Sequence, residues 1–155
     1  MVEIELDGDA TMTNWSKTMA ARLHGKSDDL RIRNEKFVEE RKLVREIGPQ
    51  LWDEVLNQIS IEGNALNAEM DRDVVTSKNP TGGQLNLTAS LEDGARTCAV
   101  KYDYALGKIS WGTDGGSTWN TQLSVGFDGK LAFHIGSTPY SPEAIATQIL
   151  SSLLD

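Results

Sequence analysis

Two periods divide this chain, and the change between them falls near residue 73. Before it, apolar residues recur at helical spacing. After it, they alternate with polar ones, strand after strand, until a short final segment returns to the helical period. The pattern predicts the α+β class: N-terminal helices packed on an antiparallel meander sheet of five to six strands, closed by a C-terminal helix.

Thr13 or Asn14 can cap a first helix, predicted over 14–24, in which Trp15, Met19 and Leu23 lie four apart on one face. Gly25 supplies a stop. Ser27 caps a second helix, 28–47, with Asp28 and Asp29 at its positive end. Along it Leu30, Phe37, Val44 and Leu51 stand seven apart, among opposite charges at helical spacing such as Asp29 with Arg33 and Lys42 with Glu46. Arg33 and Glu40 occupy the opposing seam position, which argues against a long coiled coil. Gly48-Pro49 predicts a break, because proline removes one helical hydrogen bond and crowds the preceding turn. The third helix, 49–70, carries a wide stripe (Leu51, Trp52, Val55, Leu56, Ile59, Leu66, Met70) suited to lie on a sheet, and Gly63 on it permits close approach of a strand.

Strands are predicted within 74–136. Leu85, Leu87, Ala89 and Leu91 alternate with Asn86, Thr88 and Ser90. Turns at Glu92-Asp93-Gly94, Ala105-Leu106-Gly107, Asp114-Gly115-Gly116 and Asp128-Gly129 separate further runs: Cys98 to Tyr104, Ile109 with Trp111, Trp119 to Phe127, and Leu131 to Ile135. Residues 74–76 offer an edge strand. Ser141-Pro142-Glu143 opens the last helix, 142–154, whose buried face is Ile145, Ile149 and Leu153. At the other end, residues 1–11 alternate acid with apolar up to Gly8, which suits a flexible acidic segment over 1–12 or a short edge strand of Val2, Ile4 and Leu6. Met12 is an alternative start to Met1. Residues 13–155 are then expected to form a single domain.

Composition narrows the partners. The net charge is −8, with 15 acids and 10 bases in residues 1–72 and 8 acids and 5 bases in residues 73–155. Neither half carries the basic footprint of a nucleic-acid binder, and there is no polybasic cluster for anionic lipid. No segment reaches the apolar length of a membrane span, and no secretory leader is visible. The single Cys98 excludes an internal disulfide and makes a reducing cytoplasm the simplest expectation.

One short motif has a relative. Asp114-Gly115-Gly116-Ser117-Thr118-Trp119 resembles the Asp-box, a hairpin signature of sialidases and other β-proteins; the Asp, Gly, Thr and Trp positions match, and Gly112 stands where the pattern has Ser. The resemblance implies a local fold element, with the Asp accepting turn amides and the Trp packed under the hairpin, and it implies no activity, since a sialidase propeller needs several blades. In general organisation the chain is similar to small bacterial domains.

Candidate chemistry is sparse. Two His residues and one Cys give no metal spacing, no glycine-rich phosphate loop is present, and no cofactor or catalytic residue is assigned. Cys98 is in phase with Val100 and Tyr102 and should be buried and inert. Two readings follow, and the balance is against an enzyme. The first is a protein-interaction or self-associating module, with a protein partner or a second copy held through Leu30, Phe37 and Val44 on the second helix or through the polar sheet face at Asn120 and Gln122. The second is a small-ligand-binding protein or enzyme with a pocket between helices and sheet, lined by Tyr102, Tyr104, Trp111 and Trp119 with His134 or a carboxylate at the rim.

Overall fold

A computed structural model describes residues 2–155, with the side chains of residues 14–79 and 82–155. The elements run α1 (Val2–Met70), β1 (Val75–Thr81), β2 (Gln84–Leu91), β3 (Gly94–Asp103), β4 (Lys108–Thr113), β5 (Thr118–Val125), β6 (Leu131–Ile135), β7 (Thr138–Tyr140) and α2 (Pro142–Leu154). The seven strands form one antiparallel sheet in sequence order, a meander with no crossover. The chain divides into two compact units, Met1–Glu39 and Glu40–Asp155, and the division falls inside α1. The sheet and α2 lie wholly in the second unit.

The expected helix boundaries are also revised. Residues 2–12, expected as a flexible segment or edge strand, belong to α1, and the helix continues through Gly25 and through Pro49. Proline in a helix interior costs about 3 kcal/mol because it removes one hydrogen bond and clashes with the preceding turn. Burial offsets that cost here. Val44, Gly48, Trp52 and Val55, spaced four, four and three residues apart, are all buried on either side of the proline, and each large apolar side chain so buried contributes about 1.5–3 kcal/mol. Arg45, whose carbonyl loses its donor to the proline, lies on the exposed side, where water can serve it.

In the second unit one face of the sheet is apolar. Leu85, Leu87 and Ala89 of β2, Cys98, Val100 and Tyr102 of β3, Ile109 and Trp111 of β4, Leu123 of β5 and Phe133 of β6 are buried in one cluster with Val44, Trp52, Val55 and Ile59 of α1. The helix α2 completes it with Ile145, Ala146, Ile149, Leu150 and Leu153. Ser141 caps α2 as expected, its hydroxyl accepting the Ala144 N–H at 3.1 Å. Gly63 admits the β1 edge as expected: a Cβ there would meet Val75 Cγ1 at 3.6 Å.

The sheet has seven strands where five to six were expected. The first runs well past residue 76, and β7 has only three residues, with Pro139 at its centre. So short a strand carries no readable alternation, and proline is tolerated there because β7 is an edge. Tyr104 falls outside β3, in the turn that follows, where Asp103 Oδ1 accepts the N–H groups of Ala105 and Leu106 at 2.9 and 3.1 Å.

Candidate functional site

Of the residues expected to line an aromatic pocket, the structure joins Tyr102 and Tyr104, edge to face with ring centroids 4.8 Å apart. It adds Trp52, which stacks on Tyr102 at 5.3 Å with an interplanar angle of 14°. The linear pattern places Trp52 on the core face of a helix, and nothing in it relates that residue to two tyrosines fifty residues on. The carbonyl of Gly82 accepts both the Trp52 indole N–H, at 3.1 Å, and the Tyr104 hydroxyl, at 2.8 Å. These rings fill one another's space and tie the β1–β2 hairpin tip to α1. The Tyr102 hydroxyl is buried without a hydrogen-bond partner and faces Gly48. Burial, with Tyr104 and Asp103 nearby, pushes its pKa up to about 12.

The other expected lining residues sit elsewhere. Trp111 is buried and donates to Ser152 Oγ on α2 at 3.2 Å. Trp119 pairs with Trp111 across β4–β5 but is 41% exposed. His134 lies on the opposite face of the sheet. The Asp-box expectation changes in the same region: Asp114 accepts a hydrogen bond from the Thr97 hydroxyl of β3, and Trp119 is not tucked beneath the turn.

The sheet face away from the helices is polar and ordered by the strand register. One row crosses four strands as Asp103, Lys108, Gln122 and His134, and the next crosses as Gln84, Lys101, Ser110 and Asn120. Asn120 and Gln122 are exposed on it, as expected, and Gln122 Nε2 reaches the Leu106 carbonyl at 3.4 Å.

His134 is held at one nitrogen. Its Nδ1 lies 3.0 Å from the Ala132 carbonyl and 2.8 Å from Ser124 Oγ. A carbonyl only accepts, so Nδ1 carries the proton of the neutral ring. Ser124 therefore faces a donor rather than a base, and the pair is not an activated nucleophile. His134 also lines an open cleft of about 510 Å³ beside the β5–β6 hairpin, with Ser124, Phe127 and Asp128. The alternation places Ser124 on the polar sheet face with His134, but it assigns no role to Phe127 or Asp128; the Asp128-Gly129 turn signal marks the hairpin that presents those two together.

In the first unit, Trp15, Leu23, Leu30 and Phe37 of α1 are exposed at 60%, 58%, 60% and 60%. Ile32 and Val38 are exposed as well. Val44, placed by the sequence in the same interaction stripe, is corrected: it is 2% exposed, a core residue against Gly107 of the β3–β4 turn. The seven-residue series thus serves burial from Val44 on and exposure before it.

Cys98 is free and buried, and burial pushes its thiol pKa up. Among the described residues no group of three or more His, Cys, Asp or Glu is placed to hold a metal ion, and no helix is long and apolar enough to cross a membrane. Comparison with protein-family models, with curated proteins and with solved structures returns no match to the chain.

Proposed function

We propose that the chain is a non-enzymatic interaction module that self-associates through the first unit of α1, with a second copy of the chain as partner. The observation that carries this reading is the exposed row of Trp15, Leu23 and Leu30, with Phe37 exposed in the same series. Large apolar side chains scattered singly on a surface need no explanation, whereas a row along one helix face marks a contact surface. A seven-residue recurrence also presents equal positions on two copies to each other. Lys26 and Arg33, at the opposing seam positions, favour a short contact over a continuous coiled coil. A net charge of −8 speaks against nucleic acid as partner, and the buried free thiol of Cys98 fits cytoplasmic residence.

Multi-angle light scattering on the full chain across roughly 1–100 μM tests the reading. The expected result is a dimer whose mass falls to that of one chain in the Leu23→Ser, Leu30→Ser double variant, with the circular dichroism of the sheet retained. A strict monomer at the highest concentration, or a dimer untouched by the double variant, refutes it.

A further inference from the structure

The cleft beside the β5–β6 hairpin belongs to the second unit, at the end of the polar sheet face, and takes no part in the proposed self-association. Its composition is unusual for a solvent-facing turn. Phe127, two residues before Gly129, is fully exposed, so its ring offers an apolar plane that nothing in the fold requires. Around it stand groups with unused hydrogen-bonding capacity. With Nδ1 occupied by Ala132 O and Ser124 Oγ, the Nε2 lone pair of His134 has no hydrogen-bond partner among the described residues. The Ser124 hydroxyl, sharing the Nδ1 proton as acceptor, keeps its own proton to donate. Asp128 Oδ1 accepts the Lys130 N–H at 3.0 Å, which sets the carboxylate, and Oδ2 has no hydrogen-bond partner among the described residues.

Gly126 leaves the middle of this arrangement open. A Cβ at that residue would lie 3.2 Å from Asp128 Oδ1 and 3.4 Å from His134 Nε2. The carboxylate and the imidazole Nε2 therefore both face the same bare stretch of backbone, where neighbouring hydroxyls of one ligand can reach them. The charge balance selects what that group is. Lys130 and Asp128 both line the cleft and offset each other, so an anion gains no net attraction. One imidazole and one carboxylate are too few ligands for a retained transition metal. A hydroxyl that donates to Nε2 or to the carboxylate, beside a second that accepts from Ser124, satisfies every open group, and a C–H face beside it covers the Phe127 ring. Vicinal hydroxyls flanked by an apolar C–H face describe a pyranose.

We propose that the cleft between Ser124 and Pro139 is a saccharide subsite for a neutral sugar, with Phe127 as its stacking platform and His134 Nε2, Asp128 and Ser124 as its hydroxyl partners. Weak binding of a single sugar unit is in keeping with an open cleft of this size, and an oligosaccharide extends it along the polar face toward Gln122 and Asn120.

Amide NMR titration of the full chain tests it, with cellotetraose, chitotetraose and maltotetraose each added to about 20 mM, a range that detects millimolar affinity. The expected result is saturable shifts for at least one sugar, confined to residues 124–139 and their row neighbours. Phe127→Ala, which removes an exposed ring, and Gly126→Ala, which fills the gap, should each weaken binding by about tenfold or more with the remaining spectrum unchanged. No shift at Gly126, Phe127 or His134 with any of the three sugars overturns the proposal. So does binding that Phe127→Ala leaves unaltered, or a stronger response of the same amides to inorganic phosphate than to the sugars. The titration is independent of oligomeric state, so its outcome is separate from that of the self-association reading.

Discussion

The side-chain amide of Asn67 grips the backbone of Val75 from both sides: its oxygen accepts the Val75 N–H at 2.8 Å and its nitrogen donates to the Val75 carbonyl at 2.9 Å. The same oxygen accepts the Val74 N–H at 2.8 Å. One side chain on α1 thus satisfies three backbone groups where the edge strand β1 begins, in a partly buried place where water substitutes poorly. The sheet begins where it does because α1 holds it there.

Asn67→Ala is therefore expected to destabilise the second unit by about 2–4 kcal/mol, since a buried donor or acceptor left unmade costs about 1–3 kcal/mol. Urea unfolding monitored by tryptophan fluorescence reads it. Asn67→Asp, which keeps the acceptor and loses the donor, should fall between Asn67→Ala and the parent.

Gly48 and Tyr102 are coupled by contact. A Cβ at Gly48 would collide with the Tyr102 hydroxyl, and that hydroxyl is buried with no hydrogen bond to lose. Gly48→Ala should destabilise by about 1–3 kcal/mol despite alanine's better helix propensity, because the neighbouring ring is stacked on Trp52 and cannot retreat freely. Tyr102→Phe removes an unsatisfied polar atom and should be neutral or stabilising by about 1 kcal/mol. The double variant should then be more stable than Gly48→Ala alone, and a double-mutant cycle in urea measures that coupling. Strict additivity of the two changes would refute the contact.

The legible part of this fold was the part with a period. Leu85, Leu87 and Ala89, or Cys98, Val100 and Tyr102, alternate cleanly and are buried as the alternation requires. The helix α2 carries cap, proline and acid in order, and it starts where they place it. Local signals misled where tertiary packing outweighed them. Pro49 reads as a break, yet the burial of Gly48 and Trp52 on either side keeps the helix whole. Val44 and Leu30 are equivalent in a seven-residue pattern, and the pattern alone does not tell that Val44 packs in the core while Leu30 is exposed. The cleft around His134 was illegible for a different reason. Ser124 and His134 meet through the register of β5 on β6, and register across a hairpin is set by one turn rather than by the residues it brings together.

Tyr102 also sets an alkaline limit. Its folded pKa is raised to about 12, above the value near 10 of an exposed phenol, chiefly through burial. The folded state thus retains a proton that the unfolded chain releases first. The stability tied to this group is complete below pH of about 10 and is lost as pH rises toward about 12, by about 2 kcal/mol in all. Thermal melts between pH 9 and 12 should show this decline in the parent, and Tyr102→Phe should flatten it.

Val44 and Leu30 offer the sharpest contrast between the two units. Both belong to one seven-residue series, but Val44 is in the core and Leu30 is exposed. Val44→Ala deletes buried methyl groups beside Gly107 and should lower stability by about 1–3 kcal/mol, with no effect on the mass in light scattering. Leu30 is 60% exposed, so with Leu30→Ala unfolding at high dilution should be unchanged, within about 0.5 kcal/mol, while self-association weakens. Paired urea melts and light scattering on the two variants separate these effects. If Leu30→Ala behaved as Val44→Ala does, the exposed row would be part of the fold rather than a surface for a second copy.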